Sequence, residues 1–421
     1  MYREALKQLL LEQNAVLQNE DYASRELLEQ IKESDKTPFA IIISGVRRCG
    51  KSTLLKEIMS LHEGYFVNFD DDRLVSFTVN DFQQMYELLI ELFGKKDIFF
   101  FDEIQNISGW ERFVRRLNDQ GKKVYITGSN ANMLSKELGT HLTGRNISFT
   151  LYPLSFKEFL GFLKHDYKID KLTTEQKSIL KRLFNEYEAK GGFPEYLKTY
   201  KEEYIKSLYE NIIYRDIITR YSLPDEKALK EIVYYAASNI GKELSFNSLR
   251  KLTGLTSATT VKEYFGYLEN SYLAFLLPRY NPSLTKQIYS NKKVYFVDTA
   301  VVRLLGFRAN EDAGRLLENL VFLHLKRHGK ETYFHKEKNE CDFVLREGTR
   351  VVEAIQVTLS LGKNKDRELM GLVEAMHIYK LKEGTILTLD EEYDIPLDKR
   401  KISVKPVWKW LLEPGRLLPS K

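Results

Sequence analysis

Apolar runs separated by helix-length segments dominate the chain from residue 39 to residue 160. Four of these runs are FAIIIS at 39–44, GYFVNFD at 64–70, KDIFFFDE at 96–103 and KKVYITG at 122–128. Strands of a parallel sheet are covered on both faces, so they read as continuous apolar runs rather than alternating ones. The pattern predicts an α/β core built around a parallel sheet.

Beyond this region the pattern changes twice. Residues 161–235 are predicted to be helical, with a break at the segment GGFPEYL. Residues 236–300 have a helix–turn–helix rhythm followed by strands, and residues 301–421 contain a second α/β unit that reads helix, strand, strand, helix, strand. Because 421 residues exceed one ordinary core, we predict four parts, at 1–160, 161–235, 236–300 and 301–421.

Composition indicates a globular protein from a reducing compartment. Hydrophobic residues make up 43% of the chain, and its two cysteines, Cys49 and Cys341, argue against a disulfide framework. The opening stretch MYREALKQLLLEQN lacks the apolar region of a signal peptide, and no apolar run approaches the roughly 20 residues of a membrane span. We expect a cytoplasmic protein that has no membrane partner.

The net charge of +5 is unevenly distributed. Residues 1–160 carry 20 Lys/Arg and 23 Asp/Glu, whereas the rest of the chain carries 44 and 36. A basic C-terminal part favours a polyanionic partner there. Ordinary solvated surface charge explains the same excess equally well.

The segment AIIISGVRRCGKSTLL contains a complete phosphate-binding (Walker A) motif between an apolar run and a helical pattern. Its glycines allow a tight turn whose backbone N–H groups point at phosphates. Lys51 is expected to reach the β- and γ-phosphates, and the Ser52 hydroxyl is expected to bind Mg²⁺. The residues expected at the nucleotide are Gly45, Val46, Arg47, Arg48, Cys49, Gly50, Lys51, Ser52 and Thr53.

The segment DIFFFDEIQN supplies the complementary acids at the end of a strand. Asp102 is expected to hold Mg²⁺, and Glu103 is expected to orient or deprotonate the attacking water. The next strand ends at Ser129 and Asn130, and we take Ser129 as the candidate that senses the γ-phosphate. An Asn-Lys-x-Asp element, which reads guanine, is absent from the sequence, so ATP is preferred over GTP.

Arg145 precedes a further apolar segment, and two interpretations of it stay open. A guanidinium aimed at a neighbouring subunit's γ-phosphate would stabilise the transition state, which also implies a homo-oligomer. The alternative is a surface arginine at the start of a strand.

Residues 243–279 have the rhythm of a winged helix. Ser245 can cap a first helix, Gly254 makes the turn, and Ser257 or Thr259 caps a second helix. DNA phosphates are the predicted contact of Arg250, Lys251, Lys262 and Arg279. Winged helices also serve as protein spacers, so a protein partner remains an alternative.

The last α/β unit carries acids in the pattern of a metal-dependent nuclease. Glu318 on a helix and Asp342 on a strand are placed to share one divalent metal with a group on the next strand. That group is the neutral Gln356, and Thr358 stands where a lysine would activate water. A lysine that has migrated in sequence would restore the site, and Lys326 and Lys363 are the candidates.

Ten segments, in this order, resemble the prokaryotic AAA-type ATPases that carry a C-terminal domain of unknown function. They are SGVRRCGKSTLL, FFFDEIQN, ITGSNANML, LTGR, YPLSFKEFL, GGFPEYL, IIYRDIITRY, VYFVDTAV, LLENLVFLHLKR and ECDFVL. The resemblance spans nearly the whole chain and implies a P-loop AAA-type ATPase module, a helical lid, a winged helix and a restriction-endonuclease-like α/β domain of the PD-(D/E)XK type. It also implies that Arg145 is the arginine near the end of the ATPase module. Gln356 and Thr358 depart from the Glu-x-Lys pattern, which argues against cleavage.

Three functions are compatible with these features. The first is ATP hydrolysis, with Mg²⁺, coupled to DNA binding that is specific for structure rather than sequence. The second is a nucleotide-dependent signalling or assembly switch that binds a protein. The third, ranked last, is an active ATP-gated nuclease.

Overall fold

A computed structural model describes residues 2–15, 24–130, 144–167, 169–306, 313–362, 365–397 and 399–413. The chain forms two compact units. The first comprises Met1–Tyr152 and Asn270–Tyr272, and the second comprises Pro153–Glu269 and Leu273–Lys421. None of the helices in these ranges is long and apolar enough to cross a lipid bilayer.

The first unit is built on a five-stranded parallel sheet in the order β2-β3-β4-β1-β5. Its strands are β1 (Ala40–Gly45), β2 (Tyr65–Asn68), β3 (Ile98–Asp102), β4 (Lys123–Gly128) and β5 (Asn146–Leu151). Its helices are α1 (Arg3–Ala15), α2 (Leu27–Ser34), α3 (Lys51–Met59), α4 (Phe82–Phe93) and α5 (Trp110–Asp119). The predicted α/β class with a parallel sheet is confirmed.

Strand β3 shows why these runs form central strands. Phe99, Phe100 and Phe101 are all fully buried although successive side chains point to opposite faces of the sheet. Phe100 stacks on Tyr125 of β4, with ring centroids 5.0 Å apart, whereas Phe101 packs against Phe113 of α5 on the other face. Helices therefore cover both faces, and the carboxyl ends of β1, β3 and β4 meet at one edge of the sheet.

The second unit begins with helices. They are α6 (Phe156–Phe162), α7 (Thr174–Lys190), α8 (Pro194–Thr199), α9 (Glu202–Asn211), a π-helical segment (Ile212–Thr219) and α10 (Glu226–Ala237). The GGFPEYL segment breaks the helices as predicted: α7 ends at Gly191, whose φ is +70°, and Pro194 occupies the first position of α8.

A three-stranded antiparallel sheet follows, in the order β6-β8-β7. Its elements are β6 (Glu243–Leu244), α11 (Phe246–Thr253), α12 (Ala258–Asn270), β7 (Ala274–Pro278), α13 (Leu284–Tyr289) and β8 (Lys292–Phe296). Ser245 accepts the Ser248 amide hydrogen at the start of α11, and Ser257 accepts that of Thr260 in the first turn of α12. Gly254 has a φ of +71° between the two helices, as the turn requires.

The C-terminal elements form a six-stranded mixed sheet in the order β13-β14-β12-β11-β10-β9. Its strands are β9 (Glu331–Lys336), β10 (Glu340–Glu347), β11 (Arg350–Val357), β12 (Glu383–Thr388), β13 (Tyr393–Leu397) and β14 (Arg400–Pro406). The helices are α14 (Thr299–Leu305), α15 (Ala313–Arg327), α16 (Lys365–Ile378) and α17 (Val407–Trp410). The sequence pattern predicted two strands between the long helices, and the structure has a third, β9. Because β9 is an edge strand with charged ends, its pattern is less apolar.

Candidate nucleotide site and C-terminal acidic cluster

The phosphate-binding loop connects β1 to α3, and its two motif glycines have conformations that other residues rarely adopt. Gly45 has a φ of +153°, and a Cβ atom there would lie 2.0 Å from the carbonyl oxygen of Leu151. Gly50 precedes α3 with a φ of +102°. The glycine spacing is therefore required by the backbone path, which places the N-terminus of α3 at the edge of the sheet.

Lys51 lies in the first turn of α3 and is almost fully buried. Its ammonium donates hydrogen bonds to the carbonyl oxygens of Gly45 at 3.2 Å and Val46 at 3.1 Å. The same Nζ lies 3.7 Å from Oε1 of Glu103. The lysine of the loop and the acid that follows β3 are thus brought together at the carboxyl edge of the sheet.

Asp102, at the end of β3, is held by hydroxyl groups. Thr127 of β4 donates a hydrogen bond to its Oδ1, and Ser52 also hydrogen-bonds its carboxylate. Burial raises the pKa of Asp102, and the neighbouring Glu103 carboxylate raises it further. Thr127 also accepts the Glu103 amide hydrogen at 3.0 Å, so one threonine orients both acids. Sequence reasoning missed Thr127, because a threonine inside a strand carries no signal of such a role.

Glu103 has a φ of +51°, which turns its side chain away from the direction of β3. Burial would raise the pKa of Glu103, but the Lys51 ammonium and the Gln105 amide outweigh burial, and this pKa is lowered. Glu103 is therefore favoured as a carboxylate. Ser129 is buried beside it, and its side chain also helps to lower this pKa.

These groups suit a nucleoside triphosphate and Mg²⁺. The N-terminus of α3 and the Lys51 ammonium supply positive charge for phosphates. The Asp102 carboxylate and the Ser52 hydroxyl supply the oxygen ligands that Mg²⁺ prefers. The Ser129 hydroxyl, beside Glu103, is a further polar group that can bind a phosphate oxygen.

Two residues from outside residues 37–160 support the loop, and sequence reasoning found neither. The buried guanidinium of Arg25 donates hydrogen bonds to the carbonyl oxygens of Cys49 at 2.8 Å and Tyr152 at 2.6 Å. The hydroxyl of Tyr272 donates to Oγ of Ser44, directly before the loop, at 2.7 Å. Neither residue stands in a recognisable motif, because the contacts that define their positions are distant in sequence.

Arg145 lies far from this site in its own chain. It precedes β5, whose first residue, Asn146, pairs with Ala40 at the beginning of β1. The loop follows the other end of β1, at a distance of about 16 Å for five residues of extended chain. The half-exposed guanidinium of Arg145 pairs with Asp119. Arg145 is therefore not among the residues that meet at the phosphate-binding loop of its own chain.

The four basic residues assigned to DNA differ in their surroundings. Lys251 at the end of α11 and Lys262 on α12 are exposed, and Arg250 is half-buried. Arg279, after β7, donates a hydrogen bond to Oε1 of Glu337 at 3.1 Å. Lys292 of β8 lies near Lys262. Burial lowers the pKa of Lys292, and the positive charge of Lys262 lowers it further.

The acids of the C-terminal unit also lie together, around a lysine that sequence reasoning did not propose. Glu318 of α15 and Asp342 of β10 each have a carboxylate oxygen 3.0 Å from the ammonium of Lys293 in β8. Lys326 is elsewhere, with its ammonium 5.4 Å from the ring of Phe275. Lys363, the other candidate, lies outside the residues that the structure describes.

The two residues that depart from the nuclease pattern have different places. Gln356 joins the cluster: its Oε1 accepts the Asp342 amide hydrogen at 3.2 Å, and its Nε2 donates to Glu368 at 2.7 Å. Thr358 does not, because its hydroxyl donates to the carbonyl oxygen of Ser360 at 3.2 Å.

Comparison with protein families identifies two domains. Residues 37–160 match the family described as AAA domain, and residues 181–311 match a domain of unknown function, DUF8612. The first match contains the loop, β3 and β4, so the candidate nucleotide site lies entirely within an AAA-type ATPase domain.

Relatives of the whole chain are also known. An uncharacterized protein of Haemophilus influenzae is 31% identical over 369 residues, covering 83% of this chain and 88% of the relative. Among solved structures, AMPPCP-bound DnaA from Aquifex aeolicus is 16% identical with a TM-score of 0.24, covering 57% of this chain and 86% of DnaA; a score this low carries no argument. The uncharacterized protein MJ1544 of Methanocaldococcus jannaschii is 35% identical over 394 residues, which cover 88% of each chain. This chain belongs to the same family as MJ1544, and its N-terminal part is an AAA-type ATPase domain.

Proposed function

We propose that the protein hydrolyses ATP with Mg²⁺ and that hydrolysis is coupled to DNA binding by the second unit. The observation that carries the first part is the meeting of Lys51, Asp102 and Glu103 at the carboxyl edge of the parallel sheet. A carboxylate kept ionised beside the phosphate-binding lysine is what activation of a water molecule requires.

Each side chain has one role in this proposal. Lys51 leaves the carbonyl oxygens that it now contacts and binds the β- and γ-phosphates. Ser52 and Asp102 hold Mg²⁺, which supplies positive charge against the phosphates. Glu103 orients and deprotonates the attacking water, and the Ser129 hydroxyl binds the γ-phosphate.

Arg145 acts in trans in this proposal. Its distance from the loop of its own chain supports a role at a neighbouring subunit's nucleotide. A guanidinium at the γ-phosphate would stabilise the charge that develops in the transition state. The active form would then be a homo-oligomer, in which Arg145 exchanges Asp119 for the neighbour's phosphate.

DNA binding is assigned to residues 226–296. The element order α10, β6, α11, α12, β7, β8, with the short α13 between β7 and β8, supports the interpretation of this segment as a winged helix, with α12 as its second helix. Lys251 and Lys262 are exposed on the two helices and can reach phosphates. Arg250 and Arg279 complete the basic face. Because phosphate contacts carry no sequence information, we expect preference for a DNA shape rather than a sequence.

The C-terminal sheet completes the proposal. A helix, three antiparallel strands, a helix and a parallel strand occur here in the order of a restriction-endonuclease-like core. Gln356 and Thr358 replace the acid and the lysine that cleavage needs. We therefore assign this domain to holding DNA without cutting it.

The rate of ATP hydrolysis tests the proposal. It is measured without DNA and with single-stranded, duplex, forked and four-way-junction DNA at several salt concentrations. Stimulation by one of these shapes that weakens steeply with salt supports coupling to DNA. Hydrolysis that no DNA changes would refute the coupling, and absence of Mg²⁺-dependent hydrolysis would refute the enzyme assignment.

A protein-binding switch is the second candidate, and α13 is the observation that favours it. Leu284, Ile288 and Tyr289 of this short helix are 69%, 51% and 85% exposed. Apolar side chains exposed together are typical of a protein contact. If alanine at these three positions removes a cellular partner while DNA leaves hydrolysis unchanged, the switch replaces the first proposal.

A further inference from the structure

A lysine occupies the centre of the C-terminal acidic cluster. The Nζ atom of Lys293 lies 3.0 Å from Oε1 of Glu318, 3.0 Å from Oδ1 of Asp342 and 2.9 Å from Oε1 of Glu340. Lys293 belongs to β8 of the three-stranded sheet, Glu318 to α15, and both other acids to β10 of the six-stranded sheet. One ammonium group therefore joins three elements.

Further contacts hold the two central acids in place. Oδ2 of Asp342 accepts the Val357 amide hydrogen at 3.0 Å. Tyr295 donates its hydroxyl hydrogen to Oε1 of Glu318. The other oxygen of Glu318 packs against Gly241, where a Cβ atom would lie only 2.7 Å from it. The acids are thus fixed by the fold around the ammonium.

Burial argues against a catalytic metal at this position. The side chain of Lys293 is 1% exposed and those of Glu318 and Asp342 are each 10% exposed, whereas Glu340 lies at the rim of the cluster with 36% of its side chain exposed. A metal that promotes hydrolysis needs open positions for water and for a phosphate of the substrate. The residues of the described segments also contain no group of three or more His, Cys, Asp or Glu side chains that could hold a metal ion. The acids present therefore do not fit the divalent metal that a nuclease-like core implies.

We propose that the ammonium of Lys293 replaces the divalent metal as the permanent counter-ion of this site. The former metal ligands then pin β8 to α15 and β10 and serve structure rather than cleavage. Buried carboxylates require a counter-charge, and an internal ammonium supplies it without any bound ion. This inference does not rest on ATP hydrolysis or on DNA binding, and its test uses neither.

The test compares the full-length protein with Lys293→Ala, by unfolding midpoint and by Mn²⁺ titration calorimetry in nucleotide-free buffer. The buried carboxylates of Glu318 and Asp342 are left without their shared cation in the variant, whereas Glu340 keeps Lys336, so we expect its midpoint to fall by roughly 10 °C. Mn²⁺ should then recover part of that loss. The double variant Lys293→Ala/Asp342→Asn should recover less. An unchanged midpoint, or a recovery that ignores Asp342, would overturn the proposal.

Lys292→Ala is the matched control. Its ammonium donates to the backbone carbonyl oxygens of Gln287, Ile288 and Ser290. The acid near it, Glu269, keeps Lys326 as a cation when Lys292 is removed, and the acidic cluster keeps Lys293, so any loss of stability should not be recovered by Mn²⁺. Equal recovery in both lysine variants would show that the effect is not specific to the cluster, which contradicts the proposal.

The wild-type chain decides the question if Lys293→Ala does not fold. Wild-type and Asp342→Asn proteins are titrated with Mn²⁺ under the same conditions, so that any metal bound elsewhere contributes equally. Identical heats of Mn²⁺ binding in the two proteins would support the proposal that Lys293 excludes metal from the acidic cluster. Mn²⁺ binding that Asp342→Asn abolishes would show that metal displaces the lysine, and the proposal would be wrong.

Discussion

The carboxylate of Asp298 accepts the amide hydrogen of Gly192 at 2.7 Å, and it also accepts that of Ala300 at 2.9 Å as the cap of α14. Gly191 lies so close that a Cβ atom on it would meet Oδ1 of Asp298 at 1.9 Å. Two segments 106 residues apart are thereby joined. The double glycine before α8 is needed both for its turn and for this approach.

Asp298 should make folding of the second unit depend on pH. Burial raises its pKa to about 6, above the value of about 3.9 in an unfolded chain. Between these values the folded state binds more protons, so its stability falls as pH rises from about 4 to 6. We expect Asp298→Asn to remove this pH dependence. In the wild-type protein it lowers the free energy of unfolding by at most about 3 kcal/mol over this pH range. Urea unfolding of both proteins at several pH values measures the difference. Parallel stability curves for the two proteins would contradict this role.

Glu103→Gln should slow ATP hydrolysis by about 10²–10⁴-fold, the usual worth of a general base. Glutamine keeps the size of the side chain but cannot accept the proton of water, so nucleotide binding should persist. Steady-state hydrolysis and binding of a fluorescent ATP analogue measure the two effects. Lys51→Ala is the comparison, since it should weaken nucleotide binding itself. Hydrolysis by Glu103→Gln at the wild-type rate would remove Glu103 from the mechanism.

Arg145→Ala subunits should regain activity when mixed with Lys51→Ala subunits. One subunit keeps an intact nucleotide site and the other keeps the arginine, so a mixed interface contains both. Hydrolysis by wild-type protein should also rise, per subunit, with protein concentration. A mixture of Lys51→Ala and Glu103→Gln controls for subunit exchange, because both defects lie at the nucleotide and no intact site can form. Failure to regain activity would leave Arg145 as the partner of Asp119.

Each charge removed from Arg250, Lys251, Lys262 or Arg279 should reduce the salt dependence of DNA binding by about one unit of log–log slope. Phosphate contacts release counter-ions, so affinity should fall similarly for unrelated sequences. Fluorescence anisotropy across a salt series measures both quantities. Lys181→Ala removes a charge from α7 instead, where the lysine pairs with Asp390 at 2.8 Å, and controls for net charge. Slopes that none of the four substitutions alters would place the DNA site elsewhere.

The sequence predicts those features that local pattern determines. The parallel sheet follows from runs such as residues 99–101, whose side chains are buried on both faces. The phosphate-binding loop follows from glycines that its backbone requires, as Gly45 shows. The residues that make up each signal lie within a few positions of one another, so neither signal depends on knowledge of the rest of the fold.

Features that depend on distant residues could not be predicted. Lys293 and Asp342 are 49 residues apart, and only the pairing of two sheets brings them together. The contact of Arg25 with the carbonyl oxygen of Cys49 spans 24 residues and involves no motif. Lysines were sought near the nuclease-like motif in sequence, whereas the relevant one, Lys293, belongs to a strand of the preceding sheet.

The C-terminal domain should not cut DNA. Gln356 removes one negative charge from the acids, and the Thr358 hydroxyl is occupied by Ser360. Losing one group that stabilises the transition state costs on the order of 10²–10³ in rate, and the effects of two losses need not add simply. Lys293 does not repair the site, because its ammonium is buried and shared among three carboxylates.

Linear and branched DNA, incubated with purified protein in Mg²⁺ and then in Mn²⁺, should therefore remain intact. Asp342→Asn should change stability or DNA affinity, and no cleavage product should form with either protein. The reason is that the Asp342 carboxylate accepts hydrogen bonds from Lys293 and from the Val357 amide. Lys51→Ala separates the two activities, since it disables the nucleotide site and leaves the acidic cluster unchanged. Cleavage that persists in Lys51→Ala and disappears in Asp342→Asn would show that the acids still bind a catalytic metal. The domain would then be a nuclease whose ammonium yields its place to the ion.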